Sequence, residues 1–580
     1  MKKIFKNKLV VLSILLCSMM LAYACKDDLN INPAGQASGA QFTSIAGLNG
    51  LLIGAYAMLN GRGSIGTSVF NWVQGGVVGG DANKGSNNGD FGAIQPVERF
   101  ELDATNGFTN GKWKAMYEGI SRCNQVLHYL ASADATVSAA DKARIGGEAH
   151  FLRGLYYFEL KKTYNNTPYV DETVDYGTGV DKVKNDQDLW PKIEADLTAA
   201  ASSLPETQGA VGRANSWAAK ALLGKVYLFE KKFPDAKTLF TSVITSGKTS
   251  GGVAYSLLKN FPDNFNAATS NNSETVFSVQ AAANSGSSNT ANNDLVLNFP
   301  YNTGANGPAG CCGFNQPSIE LGNSYRTDAK GLPLLDGSYD LPSNAVKNDQ
   351  GIASATAFTP DAGNLDPRID WTIGRRGIPY LDWQDHPGQD WIRDQPFAGP
   401  YSPKKMVFYK SQDHTLTDGS SWTDGYSAIN YNVIRYADVL LMAAESEIEA
   451  GSLETARGYI NQVRKRAANS STWVSKSGKP AANYVIGTYD VPFTDKSAAT
   501  SALRFERRLE LADEGQRFFD LVRWGVAAST INSYLKYEGA ILTVQFGGAT
   551  FTAGKNEYDP IPQSQIDLQG SDVLKQNPGY

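Results

Sequence analysis

The strongest constraint on what this chain can fold into is a helical period that recurs near both ends and fails in the middle. Over Thr43–Asn60, Lys112–Ala133, Ala139–Tyr164, Asp186–Ser203 and Ser216–Lys231, apolar residues return every three or four positions, which gathers them on one helix face. In Ala139–Tyr164 that face reads Ile145, Ala149, Leu152, Tyr156 and Leu160, and Asn165-Asn166-Thr167-Pro168 stops the helix. Leu223-Gly224, Tyr227, Ala236 and Phe240 have the spacing of a tetratricopeptide helix pair, in which small residues let two helices approach and larger ones fill the groove. Lys220 stands where that repeat prefers Trp, and its terminal Pro is absent. Ala444 and Ala456, flanked by Leu440 and Ile460, repeat the spacing. Gly154 and Tyr157 repeat the Gly-x-x-Tyr element, with a partner helix expected only after a loop, near Leu189. The expected fold is mostly α: degenerate tetratricopeptide-like hairpins, some split by insertions. Ordinary helices at coincidental spacing are the alternative.

From Gly247 to about Ser427 the character changes, and Asn, Ser, Gly, Pro and aromatics dominate, as in Ala283–Asn293 and Asn302–Gly313. Such segments are too long for mere connections and read as functional loops. A similar insert, Gly75–Asp90, follows Trp72. The expected organisation is a leader over 1–24 and one domain over 25–580. Its helical scaffold lies mainly at 40–245 and 428–535, and its irregular binding region at 247–427.

The leader has Lys2, Lys3, Lys6 and Lys8, an apolar run from Leu9 to Met20, then Leu21-Ala22-Tyr23-Ala24-Cys25. A basic segment, a short apolar core and small residues before a cut site make a secretory signal. The run is shorter than the ~20 residues of a membrane-spanning helix. The small-x-small-Cys ending resembles the lipobox of bacterial lipoproteins, so Cys25 is the expected lipidation site; an ordinary cut near Ala24 with a free Cys25 thiol is the alternative. Lys26-Asp27-Asp28 resembles the surface-export signal of Bacteroidetes lipoproteins, or is a solvated tether. With 53 basic against 58 acidic residues, a net charge of −5 argues against a nucleic-acid partner. Once Cys17 leaves with the leader and Cys25 is lipidated, Cys123, Cys311 and Cys312 remain, too few for a disulfide scaffold or a four-cysteine zinc site.

Several motifs, in order, resemble the SusD/RagB family of nutrient-binding outer-membrane lipoproteins. Arg122-Cys123-Asn124-Gln125-Val126-Leu127 is similar to the family's Arg-x-Asn-x-x-Leu helix. Glu148-Ala149-His150-Phe151-Leu152-Arg153-Gly154 is similar to its Glu-Ala-x-Phe-Leu-Arg-Ala signature, with Gly154 replacing Ala. Arg435-Tyr436-Ala437-Asp438 with Glu445, Asn461-Gln462-Val463-Arg464, and Glu506-Arg507-Arg508-Leu509-Glu510-Leu511 running on to Arg523-Trp524 follow the family pattern. Pro560-Ile561-Pro562 and Gln576-Asn577-Pro578-Gly579-Tyr580 match its ending. The resemblance implies one helical domain of four tetratricopeptide-like hairpins with loops that bind the nutrient. It also implies a SusC-like TonB-dependent transporter as partner, over which the lipoprotein is a lid. The cargo it implies is an oligosaccharide, or an oligopeptide in the RagB branch.

Binding residues are then expected among loop aromatics, whose ring faces stack on sugars while polar neighbours pair with hydroxyls. By analogy with the family's binding loops, one candidate region is Trp72 with Asp81 and Asn83. A second is Tyr301–Gln316, with Tyr301, Cys311, Cys312 and Phe314. A third is Tyr380–Asp394, with Trp383, Trp391 and Arg393. Packing in the core is the competing role for each aromatic. Cys311-Cys312 either closes a vicinal disulfide that floors the site, or holds two free thiols, or sends one bridge to Cys123.

Catalytic signals are weak. Glu506 and Glu510 share a helix face, whereas glycoside hydrolases hold their carboxyls across a sugar. Arg507–Glu510, Asp513–Arg517 and Asp520–Arg523 have spacings that suit a structural ion-pair network. His128, His150, His386 and His414 have no metal-ligand spacing, and Gly75-Gly76 and Gly79-Gly80 lack a phosphate-loop Lys. Asp361 and Asp366 are carboxylates open to calcium but without EF-hand spacing. The expectation is a non-enzymatic, cofactor-free surface lipoprotein that passes an oligosaccharide to a transporter. Its alternatives are peptide capture, a surface glycoside hydrolase and a helical interaction scaffold.

Overall fold

The computed structural model describes residues 39–419 and 422–580. Cys25, with the leader and export-signal readings, lies outside those residues. The described chain is mostly helical, as its periodicity predicts. Its principal helices are α1 (Ile45–Ala57), α2 (Gly107–Ala131), α3 (Ala139–Tyr164), α4 (Trp190–Ser203), α5 (Ser216–Phe229), α6 (Phe233–Ser246), α7 (Tyr436–Ala450), α8 (Leu453–Ala467), α9 (Lys496–Leu511), α10 (Arg517–Arg523) and α11 (Ala527–Ile541). Among the described residues no helix is long and apolar enough to cross a membrane.

Side-chain caps set several starts. Ser44, Asn106, Ser138, Asn215, Ser452 and Asp495 each accept a backbone N–H from the first turn of α1, α2, α3, α5, α8 and α9. The Asn106 cap starts α2 one turn before the position that periodicity alone suggests. Every helix from α2 to α9 packs on the one before it, so hairpins stack in chain order.

Glycines set how closely they stack. A Cβ on Gly224 would lie 2.8 Å from the Phe240 ring, so α5 and α6 meet as the tetratricopeptide spacing requires. A Cβ on Gly154 would lie 2.9 Å from Leu197, which identifies α4 as the delayed partner of α3. Helix α3 is the centre of the stack, and from Phe151 to Tyr164 it is buried on all sides. Its charged groups are accordingly paired: Arg153 with Asp196 at 2.7 Å, and Glu159 with Lys162 at 2.7 Å.

The long irregular region leaves after α6 and returns before α7, yet those two helices pack together. Its root is an antiparallel pair, β2 (Thr275–Val279) against β4 (Tyr431–Arg435), with Val279 opposite Tyr431. A second pair, β1 (Ala82–Gly85) against β3 (Phe314–Pro317), ties the earlier insert to this region. The main apolar core runs from Leu48 to Leu574 and includes insertion residues such as Phe299 and Phe408. A smaller core around Tyr325, Ile369 and Leu509 lies between the insertion and α9.

The charge cluster on α9 is a buried hub. Glu510 accepts from Arg435 at 2.6 Å, from Arg368 at 3.0 Å and from Arg466. Glu506 accepts from Arg368 at 2.6 Å and from Arg464 at 2.7 Å. Burial alone would raise the Glu510 carboxyl, but Arg466, Arg435 and Arg368 outweigh it and hold it far below the usual range. Arg368 comes from the insertion, Arg435 from β4, and Arg464 and Arg466 from α8, so the hub locks three regions onto α9. Of the three predicted local pairs only Asp520–Arg523 forms, at 2.8 Å. Arg507 turns to Asp438 and Asp520 instead. The Asp513–Arg517 spacing fails because α9 ends at Leu511 and Asp513 has a positive φ.

Candidate functional site

Three segments far apart in sequence converge on one face of the insertion. Strand β1 delivers Ser86, whose N–H donates to the Gly313 carbonyl beside β3. Lys84, buried beneath, donates from Nζ to the carbonyls of Asn87 (2.6 Å) and Asp90 (2.7 Å) and so fixes the turn between them. The same ammonium lies over the Phe397 ring at 5.1 Å and the Phe314 ring at 5.7 Å. The third segment joins through Tyr301, whose N–H donates to the Trp391 carbonyl at 2.9 Å.

At the surface, Arg393 gathers these segments. Its guanidinium lies 5.1 Å from the Tyr301 ring centre, donates to Ser86 Oγ at 2.9 Å and pairs with Asp90. Ser86 Oγ in turn donates to Asp90 Oδ2 at 2.8 Å. Tyr301 is half-buried and Arg393 exposed, so a ring, a guanidinium and a carboxylate share one accessible patch. The loop after Tyr301 is closed by Asn302 N–H donating to the Gly310 carbonyl at 2.7 Å. Cys311 and Cys312 follow it, joined in a disulfide, with Cys311 half-buried at the rim. Cys123 is buried in α2 with a free thiol, so neither the bridge to it nor the pair of free thiols is present.

Most of the other candidate residues are buried. Trp72 is only 1% exposed and packs in the main core, so it offers no ring face to a ligand. Asp81 is buried beside Asp513, and burial pushes its carboxyl up to about 6 despite the nearby Arg517. Asn83 is buried and bridges backbone, donating to Ala398 at 2.9 Å and accepting from Gly85 at 2.8 Å. Phe314 and Cys312 are buried, the first because β3 pairs with β1 and turns its ring under Lys84. Trp391 is buried against Tyr380 and His386, with ring centres at 5.4 and 5.3 Å. Trp383 is half-buried and donates from Nε1 to the Phe408 carbonyl at 3.2 Å. Of the ten expected site residues, Tyr301, Cys311, Trp383 and Arg393 reach the surface and the others do not.

Sequence reasoning passed over Lys84, Ser86 and Asp90, which carry no aromatic signal. Their hint was the short polar insert after Trp72. It also passed over Trp422, the exposed tryptophan of the 411–428 loop. Asp413, His414 and Asp424 bring ligand atoms within 4.8 Å of one another, a proximity their spacing does not announce. Asp361 and Asp366 are not free for calcium, because Arg326 and Arg368 each take both carboxylate oxygens.

A stack of helical hairpins with one long insertion, rooted on adjacent strands and bearing a loop-built face, defines a class of helical-scaffold proteins. The chain belongs to the SusD family: the family model matches residues 273–580, more than half of the chain. A second model, described as "Starch-binding associating with outer membrane", matches residues 82–228. A SusD-like protein of Formosa agariphila is 24% identical over 575 residues, covering 97% of this chain and 98% of the relative. A SusD superfamily protein from Bacteroides vulgatus superposes with a TM-score of 0.67 at 23% identity, covering 92% of this chain and 99% of its own. A laminarin-binding SusD-like protein superposes with a TM-score of 0.59 at 25% identity over the same shares.

Proposed function

We propose that this protein binds a glycan on the face around Tyr301 and passes it to a SusC-like TonB-dependent transporter without chemical turnover. The observation that carries this reading is the meeting of Tyr301, Arg393 and Asp90 from three separate segments on one accessible patch. A tyrosine ring gives a flat surface for the apolar face of a sugar, and the paired guanidinium and carboxylate supply a donor and an acceptor for its hydroxyls. The Cys311–Cys312 disulfide adds an apolar floor beside it. Asp90 balances the charge of Arg393, which suits a neutral glycan better than the charged ends of a peptide. The carboxylates with hydrolase-like spacing, Glu506 and Glu510, are buried and saturated by arginines, which supports binding without hydrolysis. Lipidation at Cys25 would hold the protein at the outer membrane, and the family's lid arrangement would set it over the transporter.

Calorimetry tests the binding reading with laminari-, cello-, malto-, xylo- and manno-oligosaccharides. Saturable binding of one series is expected, weakened about tenfold or more in Tyr301→Ala with an unchanged melting temperature. Equal affinity in the variant would remove Tyr301 from the site, and no binding of any series would remove the reading. Copurification of a transporter barrel with the tagged protein, and loss of membrane retention in Cys25→Ala, test the partner and the anchor.

A further inference from the structure

All twenty arginines lie among the described residues, and nineteen of them pair with at least one carboxylate. Arg504, on α9, is the exception: among the described residues no carboxylate pairs with it. It is nevertheless half-buried, and its Nε is shielded from water without an acceptor. An unpaired polar group in such a position is costly. The guanidinium lies 4.8 Å from the centre of the Trp524 ring, and that of Arg523 lies 4.9 Å from the same ring. Burial pulls Arg504 below the ordinary arginine range, and the Glu445 carboxylate, already forked by Arg523, does not make up the loss. One turn further on the balance is reversed. Burial alone would lower Arg508 too, but Glu320 outweighs it and holds Arg508 well above that range.

Arg504 lines a cleft of about 180 Å³ on the scaffold, between the α5–α6 turn, α7, α9 and the end of α10. Leu228, Phe233, Ile448 and Leu503 give the cleft apolar walls. Lys231, in the α5–α6 turn, is its other cation without an ion pair among the described residues. The carboxylates that line the cleft are both committed. Glu445 is taken by Arg523 and by Trp524 Nε1, which donates at 2.9 Å, and Glu449 is taken by Lys496. Two uncommitted cations therefore stand against apolar walls. The cleft shares no residue with the Tyr301 patch.

We propose that this cleft binds a small organic carboxylate, which pairs with Arg504 and Lys231 and rests its apolar body on the walls. The site is separate from the glycan face and does not depend on that reading. A guanidinium matches a planar carboxylate with parallel hydrogen bonds, and the buried Nε of Arg504 then has its acceptor. A neutral ligand would leave both cations unmatched. A polyanion would meet Glu445 and Glu449 at close range, so the charge that fits is a single carboxylate. The cleft is smaller than the roughly 300–1,000 Å³ of sites for drug-sized ligands. Its guest is therefore a small free acid or the acidic end of a longer chain, and both present the same group.

The test is calorimetry on the full chain with butyrate, benzoate and glutarate, and with a leucine-rich tetrapeptide ending in a free carboxylate. Butyramide, benzamide, the tetrapeptide amide, sulfate and chloride are the controls. At least one carboxylate should bind saturably, and its amide about tenfold more weakly or worse. Arg504→Gln should lose about tenfold with an unchanged melting temperature, because Arg504 has no ion pair to give up. Arg504→Lys, which keeps the charge without the fork, should fall between the two, and Lys231→Gln should lose less than Arg504→Gln. Tighter binding of the tetrapeptide acid than of the free acids supports the site and assigns it to a chain end. The reverse order supports it and assigns it to a free acid. Equal binding of acid and amide overturns the proposal, as does full affinity in Arg504→Gln. Sulfate or chloride competing as well as the carboxylates reduces the cleft to a positive patch and also overturns it. So does the absence of binding by every carboxylate. If Arg504→Gln fails to fold, the acid–amide comparison and Lys231→Gln still decide.

Discussion

The hub at α9 and the patch around Tyr301 are built from the same chemistry, arginines set against carboxylates, and they differ in burial. At the hub, Glu506 and Glu510 are sealed from water, each lies between two or more guanidiniums, and their partners come from the insertion, β4 and α8. At the patch, Arg393 meets one carboxylate, Asp90, with both side chains about a third exposed. A buried charge must be matched in full or its desolvation is uncompensated, so the hub has no capacity left for a ligand. An exposed pair exchanges freely with water, so it can also exchange with sugar hydroxyls. Motif strength pointed an enzymologist's eye to the first of these regions; accessibility points to the second.

The largest expected effect breaks the hub. Glu510→Ala removes the one carboxylate that three buried guanidiniums share, leaving Arg368 with Glu506 and Asp366, Arg435 with Glu274 and Glu514, and Arg466 with Glu274, and should cost about 3 kcal/mol of stability, read as a large fall in the denaturant midpoint. An unchanged midpoint would show that the hub does not hold the insertion on α9. Lys84→Met comes next, because Lys84 is buried like the hub but serves the patch. Losing its bonds to Asn87 and Asp90 should cost about 2 kcal/mol and also weaken glycan affinity by loosening the turn that presents Asp90. Intact affinity in this variant would detach Lys84 from the site.

A buried carboxyl without a cation sharpens the contrast further. Burial pushes Glu538 up to about 8, against the pull of the Glu320 N–H that it accepts at 2.7 Å. An unfolded glutamate titrates near ~4.3, so between these values the folded state keeps a proton that the unfolded chain has released. Stability therefore falls as pH rises through this window. Glu538→Gln removes that dependence, and its melting temperature should gain on the unaltered protein from about pH 5 to about pH 8. A constant difference across the window would contradict it. Paired carboxyls behave oppositely. Burial alone would raise Asp438, but Lys225 and Arg507 bring it down to about 2, so its contribution is present above the unfolded value near ~3.9 and lost as pH falls toward 2. The smallest effect on stability belongs to Arg393→Ala, within about 1 kcal/mol, and its glycan affinity should nevertheless fall about tenfold.

Much of the scaffold was legible in the sequence because helices announce themselves locally. The α3 boundaries follow from Ser138 and the Asn165-Asn166 stop, and Gly224 with Phe240 predicts the α5–α6 contact. The three regions named as the candidate site do meet, through β1 with β3 and Tyr301 with Trp391, but few of the residues named in them reach the surface. Phe314 is buried by a pairing across more than two hundred positions that no local pattern records, β3 with β1, whereas Trp391 is buried against Tyr380 and His386 of its own segment. Arg368 reaches Glu506 over 138 positions, so the hub's partners were hidden even though its helix was evident.

The strand pair at the root of the insertion has a consequence for how such proteins diversify. Because β2 and β4 are neighbours, everything between Val279 and Tyr431 begins and ends about 4.8 Å apart, whatever its length. Closing a longer loop across fixed ends costs only a logarithmic increment of entropy. A recognition surface mounted this way can be lengthened, shortened or rewritten while α6 and α7 stay in contact. Arg368 marks what a replacement would have to keep, a guanidinium delivered to the α9 carboxylates. The frame can then be inherited almost unchanged while the cargo it recognises turns over quickly.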